Sequence, residues 1–198
     1  MAKRLDRIVV VDVVSTCWDG DPPAGQESEI IEIGVCTLDV ASGERFEREA
    51  ILVAPQRSTM SEFCTRLTTL TQQQVERGVS FAEACSVLKR KYLSKERAWA
   101  GWGDYDRRQF ERQCRASGVG YPFGPTHINV KTLFAVIHTL PEEVGMDAAL
   151  WRLGLPLEGT HHRGVDDAWN IGRILSTLLL ERRTGAPTTP PQPVPGDS

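Results

Sequence analysis

Three acidic residues and one histidine carry the chemistry that this sequence can do. Asp12 lies near the end of a Val-rich segment, residues 8–14, Ile-Val-Val-Val-Asp-Val-Val. A carboxylate in such a segment is costly to bury unless it is hydrogen-bonded or holds a cation. By itself, Asp12 reads equally well as an acceptor of backbone hydrogen bonds at a strand end. Asp106 follows Gly-Trp-Gly-Asp-Tyr at a strand-to-helix junction, where a helix N-cap is the simpler reading, and Asp104 competes for either role. His162 precedes Asp167 by five residues across Gly164. That spacing brings an imidazole on a loop close to a carboxylate in the first helical turn. The plain alternative is a capped helix start with an exposed histidine. As a set, the residues fit a two-metal site better than three unrelated acids. Two hard cations about 3.5–4 Å apart need several carboxylates from different elements. A nearby imidazole can take the proton of an attacking water.

The elements that must position these groups are legible in outline. Residues 8–14 are β-branched and nearly uninterrupted, so they predict a strand buried on both faces. Residues 30–38 and 48–54 predict second and third strands, joined by a turn at 39–43. A loop covers 19–25, with its Asp-Gly and Pro-Pro. Helices follow. Thr71 with Gln74 is a capping-box pattern closed by Gly78, and Ser80 with Glu83 opens a helix over 81–92. A short strand is expected at 98–103, a helix at 106–116, a loop at 121–125 and a last strand at 127–130. Further helices are expected at 132–138, 147–153 and 164–183. This order predicts one α/β domain over residues 1–183, a mixed sheet with an antiparallel three-strand start, flanked by helices. Residues 184–198 hold five of the twelve prolines and no Leu, Ile or Phe. They predict a disordered, proline-rich tail, a solvated end rather than a docking motif.

Composition excludes several classes. With 198 residues, 40% hydrophobic and 25% charged, the chain suits one globular domain. No apolar run reaches the ~18–20 residues of a membrane helix. Residues 1–6 carry no apolar block ahead of a cleavage site, so no secretory signal is expected. The net charge of -3 argues against a basic protein that coats nucleic acid, but allows one that handles nucleic acid locally at a metal site. Five widely spaced cysteines without a C-x-x-C pattern predict reduced thiols and a cytoplasmic location.

Three ordered motifs carry a family resemblance. The first is Val10-Val-Asp-Val-Val-Ser-Thr-Cys-Trp18 with Glu29-Ile-Ile-Glu-Ile-Gly34. The second is Trp102-Gly-Asp-Tyr-Asp-Arg-Arg-Gln-Phe-Glu-Arg-Gln-Cys114, and the third is His162-Arg-Gly-Val-Asp-Asp-Ala-Trp-Asn-Ile-Gly-Arg-Ile174. Residues 61–75 match between them. The chain resembles the DEDDh 3′–5′ exonucleases, which have a ribonuclease-H-like fold. Within them it is most similar to the histone-mRNA and small-RNA trimming exonucleases and to bacterial exonucleases of the sporulation-inhibitor type. The resemblance covers residues 7–180. It implies two Mg2+ or Mn2+ ions held by Asp12, Asp106 and Asp167. Asp12 would bridge both ions, Asp167 would hold the nucleophile-side ion and Asp106 the other. It implies His162 as general base, with His161 facing solvent. The substrate would be the 3′ end of single-stranded RNA or DNA, RNA favoured, and the products nucleoside 5′-monophosphates. Phe63 and Tyr105 would flank the terminal base, and Thr16 would lie under the 3′ nucleotide.

One position departs from the pattern. The family's first motif is Asp, any residue, Glu, and here Val14 stands at the Glu position. Valine cannot ligate a cation. Glu29 and Glu32 match family positions of their own, so neither is expected to take over. Two readings follow: an exonuclease weakened at one metal position, or a nuclease-like domain that binds a nucleic acid, a nucleotide or a protein without cutting.

Overall fold

The computed structural model describes residues 4–184. Strands β1 (Arg4–Ser15), β2 (Ile30–Asp39) and β3 (Arg45–Leu52) pair antiparallel in succession. Strands β4 (Arg97–Gly101) and β5 (His127–Asn129) add in parallel on the other side of β1. The order β3-β2-β1-β4-β5 makes the mixed sheet that the sequence predicts. Seven helices flank it: α1 (Glu62–Thr68), α2 (Gln72–Glu76), α3 (Phe81–Lys91), α4 (Tyr105–Ser117), α5 (Val130–Ile137), α6 (Met146–Arg152) and α7 (Gly164–Thr184). None of the described helices is long and apolar enough to cross a membrane.

The period-two alternation of strand side chains sorts the core into two layers. Val9, Val11 and Val13 of β1, with Ile33, Val35 and Trp99, pack on Phe81 and Leu88 of α3 and Phe110 of α4. Ile8 and Val10, with Cys36, Leu38, Ala98 and Ala100, pack on Phe134, Leu150, Ile171 and Leu175 of α5, α6 and α7. Asp12 is next in that second row, so it faces the α7 side. Its register partner on β2 is Gly34. A Cβ at Gly34 would lie 1.8 Å from the Gly164 carbonyl oxygen, and a Cβ at Gly164 would lie 3.1 Å from the Asp12 carbonyl oxygen. Two glycines therefore let the start of α7 rest directly on the sheet beside Asp12.

Several elements differ from the sequence reading: β1 already begins at Arg4, and α5 begins at Val130, expected in the last strand. β3 begins at Arg45, three residues early, because Leu38 pairs with Arg45 straight off the turn. Its charged residues hid it, as an edge strand needs no apolar alternation on its open side. Glu47 and Arg48 together oppose Cys36, a bulge with Glu47 at φ +57°. The segment after Ser61 forms α1, capped by the Ser61 hydroxyl on the Cys64 N–H. α4 starts at Tyr105, so Asp106 lies inside its first turn. Thr184 ends α7, and the rest of the expected proline-rich tail, 185–198, lies outside the described residues.

Candidate active site

Three elements bring the acids together. Asp12 interrupts the apolar row of β1 between Val10 and Val14, Asp106 comes from the first turn of α4, and Asp167 from the first turn of α7. The N-cap reading of Asp106 fails. Asp106 lies inside the helix, one residue past its start, and its Oδ1 accepts the backbone N–H of Val13 on β1 at 3.0 Å. A Cβ at Gly101 would stand 2.9 Å from Asp106 Oδ2, so the glycine that ends β4 leaves room for this carboxylate. Asp104 takes the N-cap position without a side-chain cap bond and pairs with Arg107 at 3.3 Å.

The histidine loop is held by two carboxylates. Asp167 Oδ2 accepts the His162 N–H at 2.9 Å, and Asp167 Oδ1 lies 3.1 Å from His161 Nδ1. His161, expected to point freely into solvent, is half-buried and turned onto Asp167, whereas His162 is exposed. The backbone turns at His162, with φ +67°, and this folds the preceding ring back onto Asp167. The two imidazoles stack at 4.0 Å. Glu32, fully buried, pins the next residues. It accepts Arg163 Nε at 3.1 Å, Arg163 Nη2 at 3.0 Å and the Gly164 N–H at 2.9 Å. Glu29 accepts the N–H groups of Gln56, Arg57 and Ser58. Both glutamates near Val14 thus hold loops in place.

Asp12, Asp106, Asp167, His161 and His162 line one cavity of about 400 Å3, together with Val14, Leu67, Trp102, Tyr105 and Asp147. Tyr105 is 56% exposed at its edge. Phe63 is half-buried outside the lining; Leu67, one turn further along α1, takes the place on the wall. The sequence signal for Leu67 is its i+4 spacing from Phe63. Thr16 is also displaced from expectation. It is fully buried behind the wall, its hydroxyl accepting the Glu29 N–H at 2.9 Å and donating to the Glu27 carbonyl at 3.2 Å. It pins the loop after β1 and is not among the residues that line the cavity. Trp102, Asp147 and His161 are lining residues that sequence reasoning missed. The indole N–H of Trp102 has no hydrogen-bond acceptor among the described residues.

The electrostatics of the cavity call for cations. Burial pushes the Asp12 carboxyl well up, and Asp106, Asp167 and Glu32 push it further. Burial raises Asp106 to about 7 against the opposing Val13 hydrogen bond, and raises Asp167 against the two histidines. Among the described residues, no Lys or Arg forms an ion pair with Asp12 or Asp106. Buried, mutually repelling carboxylates without basic partners fit divalent cations, which favour their ionised forms. His162 is exposed, yet its partial burial and then His161 push its pKa down against Asp167 and Asp147, which favours the neutral ring that can accept a proton.

Comparison with known proteins agrees with this geometry. A family model described as an exonuclease matches residues 9–175. The 3′–5′ exoribonuclease 1 of Rattus norvegicus is 32% identical over 186 residues, which cover 89% of this chain and 54% of that protein. The Homo sapiens protein of the same name is 31% identical, covering 89% and 53%. The chain thus spans about half the length of these relatives. A solved structure described as 3′-end specific recognition of histone mRNA stem-loop by 3′-exonuclease gives a TM-score of 0.79 at 29% identity, covering 89% of this chain and 83% of that one. The nuclease domain of 3′hExo, a DEDDh family member bound to rAMP, gives 0.78 at 26% identity, covering 98% and 100%. Such nucleases normally use divalent metal ions. Matched over most of its length, with its acids where the first, second and third motifs fall, the chain belongs to the exonuclease (RNase_T) family.

Proposed function

We propose that the protein is a metal-dependent 3′–5′ exonuclease that hydrolyses single-stranded nucleic acid, RNA in preference to DNA, to nucleoside 5′-monophosphates. The observation that carries this reading is the convergence of three carboxylates from β1, α4 and α7 with His162 on one cavity. Support for RNA comes from relatives named as exoribonucleases and from the rAMP in a structural neighbour.

Asp12, Asp106 and Asp167 would hold Mg2+ or Mn2+. When bound, such ions neutralise the charge that develops on a phosphodiester and lower the pKa of water. The chain's own groups do the rest. His162, neutral and on the cavity wall, accepts the proton of the attacking water. Asp167 holds the His162 backbone, which fixes where that imidazole starts. Tyr105 on one side and Leu67 on the other offer apolar surface to a terminal base of any identity.

Tyr105→Ala should weaken binding of a single-stranded RNA 3′ end by about 1–3 kcal/mol, the range for one base stacked on an aromatic ring. Phe63→Ala, off the wall, should leave affinity unchanged. Fluorescence anisotropy with a short labelled RNA in Ca2+ checks both. The function itself is tested on 3′-labelled and 5′-labelled single-stranded RNA. Label leaving the 3′ end as 5′-monophosphate in the first turnovers supports it, whereas 5′-end release or 3′-phosphate products contradict it.

A further inference from the structure

The cavity that Val14 lines still offers a further donor beside Asp167. In the motif that the chain resembles, the Glu that Val14 replaces helps hold the same cation as Asp167, and Val14 and Asp167 line one cavity here. The neighbouring carboxylates are committed: Glu32 to Arg163 and Gly164, Glu29 to three backbone N–H groups. Asp19 and Asp21 are exposed in the loop after β1 and do not line the cavity. Among the described residues, one group of three ligand-type atoms closes within 4.8 Å, and it is His161, His162 and Asp167. His161 Nδ1 and Asp167 Oδ1 are 3.1 Å apart. Two donors bound at about 2.0–2.2 Å on adjacent corners of one cation are separated by about that distance. The turn at His162 that creates the contact is part of the backbone, and Asp167 clamps it through the His162 N–H. The arrangement is therefore built in, rather than a chance rotamer of an exposed ring.

We propose that His161 supplies through Nδ1 the ligand that Val14 withholds. A cation at Asp167 is then held by His161 as well, and the site takes Mn2+ or Zn2+ in preference to Mg2+. This rests on the metal-dependent nuclease reading of the cavity. Imidazole nitrogen suits later first-row cations, whereas Mg2+ prefers oxygen. For coordination the imidazole is neutral, with its proton on Nε2 and the Nδ1 lone pair toward the cation. His161 is partly exposed, so water can take the Nε2 hydrogen bond. The charge count agrees. Exchanging a carboxylate for a neutral imidazole leaves one negative charge fewer, which penalises weakly held Mg2+ more than a cation bonded to nitrogen.

The test reads the ligand directly and needs no turnover. Mn2+ is bound to the intact chain and examined by pulsed electron paramagnetic resonance for modulation from a directly coordinated 14N. Calorimetry gives Kd for Mn2+ and Mg2+. The expected result is nitrogen modulation in the wild type, lost in His161→Ala and kept in His162→Ala. His161→Ala should weaken Mn2+ at least about tenfold, the lower end of what even outer-sphere changes cost. Mn2+ bound without nitrogen modulation overturns the proposal and leaves the nuclease reading intact. Modulation that survives in His161→Ala overturns it too. No cation binding at all sinks both readings.

Discussion

Replacing His162 with alanine should lower the rate of phosphodiester cleavage by about 100- to 10,000-fold, the usual contribution of a general base. The imidazole lines the cavity, and its partial burial and His161 favour the neutral ring. The loop should survive the change, since its clamp is the His162 backbone N–H on Asp167 and not the ring. The residue sits at φ +67°, where a short polar side chain is better tolerated than alanine, so His162→Asn is the cleaner partner variant. Both should lose cleavage and keep Mn2+ affinity within a few-fold. Single-turnover rates with saturating Mn2+ separate the proton-transfer role from a role in cation binding. Loss of Mn2+ binding along with activity would move His162 into the ligand set.

Val14→Glu should raise activity on single-stranded RNA by about 10- to 1,000-fold, because completing a misplaced site recovers what a displacement of about 1 Å costs. Position 14 shares a face with Asp12, two residues along β1, and lines the same cavity. The Val14 side chain also packs against Ile31, Cys64, Leu70 and Val75, and its register partner is the buried Glu32. A carboxylate placed there without a cation meets an apolar wall and a like charge, which costs several kcal/mol. The variant should therefore melt lower than wild type in EDTA and recover on adding Mn2+, since binding to the folded state alone stabilises it. Thermal melts with and without Mn2+, beside the cleavage rate, read both effects. A folded Val14→Glu protein that binds Mn2+ but cuts no faster would contradict an attenuated nuclease.

These expectations combine groups that were legible in the sequence with others that were not. The β1 row was readable because its alternation is local, and the even positions that place Ile8 and Val10 in the core also place Asp12 at the cavity. Thr71 with Gln74 was readable because a capping box spans only four residues, and both of its hydrogen bonds are present. Asp106 was not. Its partner, the Val13 N–H, is 93 residues away, and only the sheet brings it near. Thr16 looked available because a hydroxyl's partners are tertiary, here Glu27 and Glu29 across the loop. His161 was misread for a similar reason. Spacing selects His162, whereas the direction of the ring before it follows from one positive φ.

The most direct test of the account is metal-dependent release of nucleoside 5′-monophosphate from 3′-labelled single-stranded RNA. Wild type and Asp12→Asn would be compared across a Mn2+ titration after exhaustive dialysis against EDTA. Asp12 is the acid whose burial and three acidic neighbours argue most strongly for cations. Release should be absent without Mn2+ and saturate with it, and a folded Asp12→Asn protein should lose both Mn2+ binding and release. Release that persists in EDTA, or in Asp12→Asn at unchanged Mn2+ affinity, would contradict it.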